Sequence, residues 1–101
     1  MPKKYSKIFD RNCSPWTNDQ DYNIMVIKCM ERHVNDKLRI LGWISLNEVY
    51  DLLGFPRELE AQNVGWKISD IYDRNQYAKF EIYMETDSII RIVFLNVVKL
   101  L

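Results

Sequence analysis

Between residues 17 and 42 the apolar positions recur every three or four residues. Ile27, Met30, Val34, Leu38 and Leu41 form one stripe, the period of an α-helix with one face in a core. Tyr22, Val26, Cys29 and Ile40 widen it to about half the circumference, which suits a helix packed on a sheet and on a second helix. Lys28, Glu31, Arg32, Asn35, Asp36 and Arg39 fall on the far side, where Arg32 and Asp36, four apart, are placed to pair. Thr17-Asn18-Asp19-Gln20 fits a capping box in which Thr17 accepts a backbone N–H and Gln20 reaches back. Gly42 can close the helix in the left-handed conformation. The pattern predicts a helix over 18–41.

After a short extended link at Trp43-Ile44, Ser45-Leu46-Asn47-Glu48 repeats the capping box. Leu46, Val49, Tyr50 and Leu53 share a face, which predicts a second helix over 46–53, stopped by Gly54 and Pro56. Residues 57–62 read as an irregular turn. The period then changes to two, predicting strands over 64–69, 78–85 and 89–98, the last two joined by the turn Thr86-Asp87-Ser88. The last strand is apolar on both faces: Ile90, Ile92, Phe94 and Val98 on one, Val93, Leu95 and Val97 on the other. Such a strand is central, or its second face meets something else. The expected fold is α+β, two helices on a three-stranded antiparallel meander. Residues 1–16 read as a basic N-terminal arm and residues 17–101 as a single domain.

Charge changes the picture mainly by exclusion. Lys plus Arg and Asp plus Glu both number 14 in the 101 residues, so no general attraction to nucleic acid or anionic lipid is expected. Lys3, Lys4, Lys7 and Arg11 could touch phosphates, but Glu58 and Glu60 stand where a recognition helix would want basic or amide side chains. No apolar run reaches the roughly 18 residues of a membrane span. The opening MPKKYSKIFD lacks the apolar core of a signal peptide. Cys13 and Cys29 therefore read as reduced thiols of a cytoplasmic protein, Cys29 on the buried side of its helix.

Candidate chemistry is sparse. His33 is the sole histidine, at the edge of the apolar arc, and reads as a half-buried structural imidazole. Asp19, Asp21 and Asn23 have the spacing that opens a calcium loop, but Ile24 follows where that loop needs Gly, so the acids read as first-turn charge. Asp70, Asp73, Glu81 and Glu85 allow a weak metal-dependent nuclease reading, although Tyr83 stands where such a site wants Lys. No catalytic residue, metal site or cofactor is expected. Trp43 and Trp66 read as core. The candidate binding residues are Tyr72, Arg74, Asn75 and Tyr77 in the connection DIYDRNQY, with Arg57 and Trp16, the aromatic expected to be exposed. Tyr, Trp and Arg could stack a base and pair a phosphate, so a nucleotide-like small molecule is one expected partner. Val93, Leu95 and Val97 form a candidate interface for a homo-oligomer or a host protein.

One stretch, SLNEVYDLLGFPRELEAQNVGW over 45–66, resembles a domain found in small proteins of tailed phages and prophages of Gram-positive bacteria. In that family a helix ends near Gly, a (S/F)LNEVYDxLGxPR segment follows, and VGW opens the strands. Leu46 to Asp51, Leu53-Gly54, Pro56-Arg57 and Val64-Gly65-Trp66 match. The chain departs after Trp66, where KFEIYME stands in place of a DFGIYD-like strand. The resemblance implies a phage or prophage origin, and so the cytoplasm of a bacterial host, and carries no catalytic or binding residue. The expected function is that of a non-catalytic binding protein, blocking a host factor or self-associating. The alternatives are a sponge for a nucleotide-type defence signal and, weakest, a nuclease-like enzyme.

Overall fold

The computed structural model describes residues 5–68 and 77–100. Their order is β1 (Tyr5–Phe9), α1 (Gln20–Leu41), β2 (Trp43–Ser45), α2 (Leu46–Leu53), a 3-10 turn (Glu60–Gln62), β3 (Val64–Lys67), β4 (Lys79–Thr86), β5 (Ile89–Leu95) and β6 (Val98–Lys99). The α+β class and both helices are as the periodicity predicts. The strands form two antiparallel three-stranded sheets, β1-β5-β4 and β2-β3-β6.

The single meander gives way at two points. β3 does not join the β4–β5 hairpin; it pairs with β2, Trp43 opposite Lys67 and Ile44 opposite Trp66, and with β6, Gly65 opposite Val98. The predicted strand over 89–98 breaks at Asn96, which sits at φ 65. A left-handed residue cannot continue a strand, and Asn is among the few side chains that tolerate it. The Asn96 amide donates to Tyr77 O at 2.9 Å, and beyond it Val98–Lys99 crosses to the other sheet. Within the predicted arm, the described residues Tyr5–Phe9 form a strand of the first sheet. Tyr5–Phe9 pairs with β5 from Tyr5 opposite Phe94 to Phe9 opposite Ile90, and Phe9 is fully buried.

The core lies between the helices and the inner faces of both sheets, with Ile27, Leu38, Ile44, Leu46, Val49, Leu53, Ile90 and Ile92 fully buried. An aromatic chain crosses it. Trp16 meets Phe9 edge-on at 5.6 Å, Phe9 meets Phe55, Phe55 meets Tyr50, and Tyr50 meets Phe94, which contacts Phe80 at 5.0 Å and Trp66 at 6.5 Å. Edge-to-face pairs of this kind add to the area they bury. The indole N–H of Trp66 donates to Leu95 O at 2.8 Å.

α1 buries a narrower stripe than expected. Asn23, Ile27, Val34 and Leu38 are its buried residues, whereas Tyr22, Cys29, His33 and Ile40 are exposed. With 22 residues it is about 33 Å long, and its buried positions run from Asn23 to Leu38, so it is the flanks of the stripe that stay in solvent. Its N-cap is Asp19, whose carboxylate accepts from Tyr22 N, while Thr17 stands outside the helix. Asp36 pairs with Arg39 rather than Arg32. The second cap is as expected: Ser45 accepts from Glu48 N.

Three asparagine amides bind the backbone of distant or flanking segments as a neighbouring strand would. Asn23 accepts from Thr17 N and donates to Thr17 O. Asn35 accepts from Ala78 N and donates to Ala78 O. Asn47 accepts from Glu58 N and donates to Glu58 O. Glu31 adds an acceptor for Phe80 N at 2.7 Å. Side chains of α1 thus satisfy backbone groups at the outer edge of β4, the kind of edge that otherwise invites pairing with another chain.

Candidate functional site

The predicted site residues do not converge among the described residues. Tyr72, Arg74 and Asn75 lie outside them. Tyr77 is exposed beside β4. Trp16, expected to be exposed, is half-buried against Phe9. Arg57 is engaged by Asp51, with Nε 3.1 Å from both carboxylate oxygens and Nη2 2.5 Å from one. That pair holds the Asp51 carboxyl below its ordinary range, chiefly through the hydrogen bond from Arg57. Val93 and Leu95 lie on the outer face of β5, flanked by β1 and β4; Val93 is 9% exposed, covered by its own chain. Val97 packs against the core.

The motif residues Ser45, Asn47, Glu48, Tyr50 and Gly54 are spent on structure. Ser45 caps α2, Asn47 holds Glu58, and Glu48 pairs with Lys37 at 2.9 Å. Gly54 closes α2 at φ 84, where a Cβ would lie 2.8 Å from Ser14 N. Tyr50 is buried beneath Lys7, whose ammonium lies 5.1 Å from the ring centroid and pairs with Glu58. Burial pushes the Tyr50 phenol well above its ordinary value, with Glu58 adding to the shift. A phenol held neutral in the fold but free to ionise near pH 10 when unfolded contributes stability that is complete below that pH and is lost above it. Alkaline unfolding is therefore expected to begin near pH 10, and Tyr50→Phe is expected to flatten that limb. A variant with the wild-type alkaline profile would rule Tyr50 out as its source.

The surface that sequence reasoning missed is centred on Trp43. It was expected in the core and is 52% exposed. Adjacent in the chain, Leu41 is 56% and Ile40 80% exposed. Pairing places Trp43, Lys67 and Val98 on the outer face of the β2-β3-β6 sheet. Leu100 N donates to Asn63 O at 2.8 Å, which brings the end of the described chain alongside. Trp43, Lys67, Ile68, Leu100, Gln62 and Asn63 then line a half-open cleft of about 450 Å³. The available signal was the position of Trp43, immediately after the Gly that ends α1, where helix periodicity no longer assigns a face.

Elsewhere, a shallow depression runs between Asp10, Cys13, Asp51 and Phe55. The Cys13 thiol there is buried and pushed up by desolvation. Among the described residues no three His, Cys, Asp or Glu side chains come together to hold a metal ion. No helix among them is long and apolar enough to cross a membrane.

No curated protein and no solved structure matches the chain. A family model does, over residues 1–96, from the first residues through β5. That span takes in β1, both helices and all of the 45–66 motif, so the chain belongs to a family of unknown function, DUF6353.

Proposed function

We propose that the chain is a phage- or prophage-encoded binding protein without a catalytic role, which blocks a host factor or self-associates. Its working surface is the outer face of the β2-β3-β6 sheet with the end of α1. The observation that carries this reading is the run Ile40, Leu41 and Trp43, three large apolar side chains exposed around one helix end. Apolar surface of this kind marks interaction sites when it is contiguous, and an exposed Trp is a frequent energetic centre of interfaces. The likeness of residues 45–66 to phage and prophage proteins supports the origin. The outer face of β5 is the weaker candidate, because Val93 is already covered within the chain. Val93→Asp would test folding before it tested association.

The reading is checked by native mass spectrometry and sedimentation of the purified chain, alone and in host extract. The wild type is compared with the double variant Ile40→Lys, Trp43→Ser. The wild type is expected to hold a second copy or a host protein, and the variant to lose about tenfold or more in affinity. Equal retention by both, or a wild type that stays a bare monomer throughout, rejects this surface. A second reading, the sequestration of a nucleotide-type signal in the cytoplasm of the host, is favoured by the cleft beside Trp43.

A further inference from the structure

The cleft beside Trp43 has a chemistry of its own. One wall is an indole, and Ile68 and Leu100 supply apolar contacts. The polar lining consists of Lys67, Asn63 and Gln62, with no carboxylate among the described lining residues. Lys67 takes part in no ion pair among the described residues. Gln62 spends its carbonyl on Asn47, accepting from its amide at 3.1 Å, which leaves its N–H groups to donate. The Asn63 side chain has no hydrogen-bond partner among the described residues, and its backbone carbonyl is taken by Leu100 N. The site thus offers one aromatic face and three donor side chains, one of them cationic.

We infer that this cleft binds an aromatic ring carrying an anionic group, a molecule of nucleotide size. The ring stacks on Trp43, as bases stack on aromatic side chains with little regard to identity. The anion takes Lys67 and the two amides, since charge-assisted hydrogen bonds are the strong ones. A purely apolar occupant, such as an aliphatic side chain of a protein partner, would strip water from Lys67 and Asn63 without replacing it. The volume of about 450 Å³ falls within the range of small-molecule sites, about 300–1,000 Å³.

The inference rests on the reading of this face as the working surface, and the two can fail separately. The test follows the Trp43 indole N–H by ¹⁵N-resolved NMR, with Trp16 and Trp66 as internal references. The chain is titrated with adenosine monophosphate, adenosine and indole-3-acetate. At least one of the two anions is expected to shift Trp43 saturably at millimolar concentration or below, with adenosine about tenfold weaker. Lys67→Gln, a surface change, is expected to weaken the anion about tenfold without lowering the melting temperature. Preference for the monophosphate assigns a phosphate-bearing base; preference for indole-3-acetate assigns an aromatic carboxylate. No saturable shift by either anion up to about 10 mM overturns the inference. So does binding of adenosine as tight as that of the better anion, or indifference of that anion to Lys67→Gln. If it is overturned while Ile40→Lys, Trp43→Ser still releases a protein partner, the surface stands and only its ligand is reassigned.

Discussion

Replacing Gly65 with alanine is expected to cost about 3 kcal/mol or more, a fall in melting temperature of about 15 °C for a domain of this size. A Cβ at Gly65 would lie 2.1 Å from Ile44 O and 2.8 Å from the Ser45 Cα. Both are backbone atoms, held where β2 turns into α2, so neither can swing aside as the end of a flexible side chain would. The β2–β3 pair must open to admit the methyl group. Opening it disturbs Trp66, the next residue, which is buried and bonded to Leu95 O. Thermal denaturation followed by far-UV circular dichroism measures the effect. A melting temperature within about 2 °C of wild type would mean that the strands do not approach as closely as described.

The second large effect is expected at Asn47, where the nearly isosteric Asn47→Asp separates hydrogen bonding from packing. The amide group accepts from Glu58 N and donates to Glu58 O, both at 2.9 Å, and donates to Gln62 Oε1 at 3.1 Å. An ionised carboxylate keeps the first bond and faces two acceptors in place of the other two. Gln62 can turn its amide to donate; the Glu58 carbonyl cannot. The site is 3% exposed, so water does little to screen the clash, and the cost at neutral pH is about 2–4 kcal/mol. The pH dependence carries the diagnosis. A protonated carboxyl can donate to Glu58 O, so folding raises the pKa of the introduced acid above its ordinary value near 4. The folded state then holds the proton longer than the unfolded state. The variant is least impaired below about pH 4 and loses stability as pH rises through the folded pKa. Urea denaturation at pH 4 and pH 7 reads the difference. A deficit equal at both pH values would show that the donor bonds to Glu58 and Gln62 are not what Asn47 supplies.

The local features were legible because their causes are local. The end of α1 at Gly42 and the whole of α2, from the Ser45 cap to Gly54, follow from spacings of three and four and from residues that satisfy helix ends. The hairpin over β4 and β5 follows from period two and its turn. The misassignments share a cause as well. Hydrophobicity assigns Trp43, Ile40 and Cys29 to the interior, where the structure leaves them exposed, and gives no sign that Asn23 and Asn47 are buried. Hydrophobicity describes what a side chain prefers; whether another element arrives to cover it is decided elsewhere in the chain. The motif over 45–66 shows the same limit for function. Its dense spacing invites a site, yet most of its polar residues bind one another, Asp51 with Arg57 and Asn47 with Glu58, and the candidate cleft takes only Gln62 and Asn63 from it, with Trp43, Lys67, Ile68 and Leu100 from outside.

By itself, then, the order of residues determined the fold class, the two helices with their stops, and the strand character of β3, β4 and β5, since each is set by contacts within a few residues. The tertiary structure alone decided that Tyr5–Phe9 joins a sheet, that Asn96 breaks the last strand and sends Val98–Lys99 to a second one, and that α1 satisfies backbone groups at the edge of β4. Periodicity tells which face of an element is dry, but not which distant element dries it. That choice depends on which pairs of surfaces fit once the chain has closed its loops, and it leaves Trp43 open to solvent.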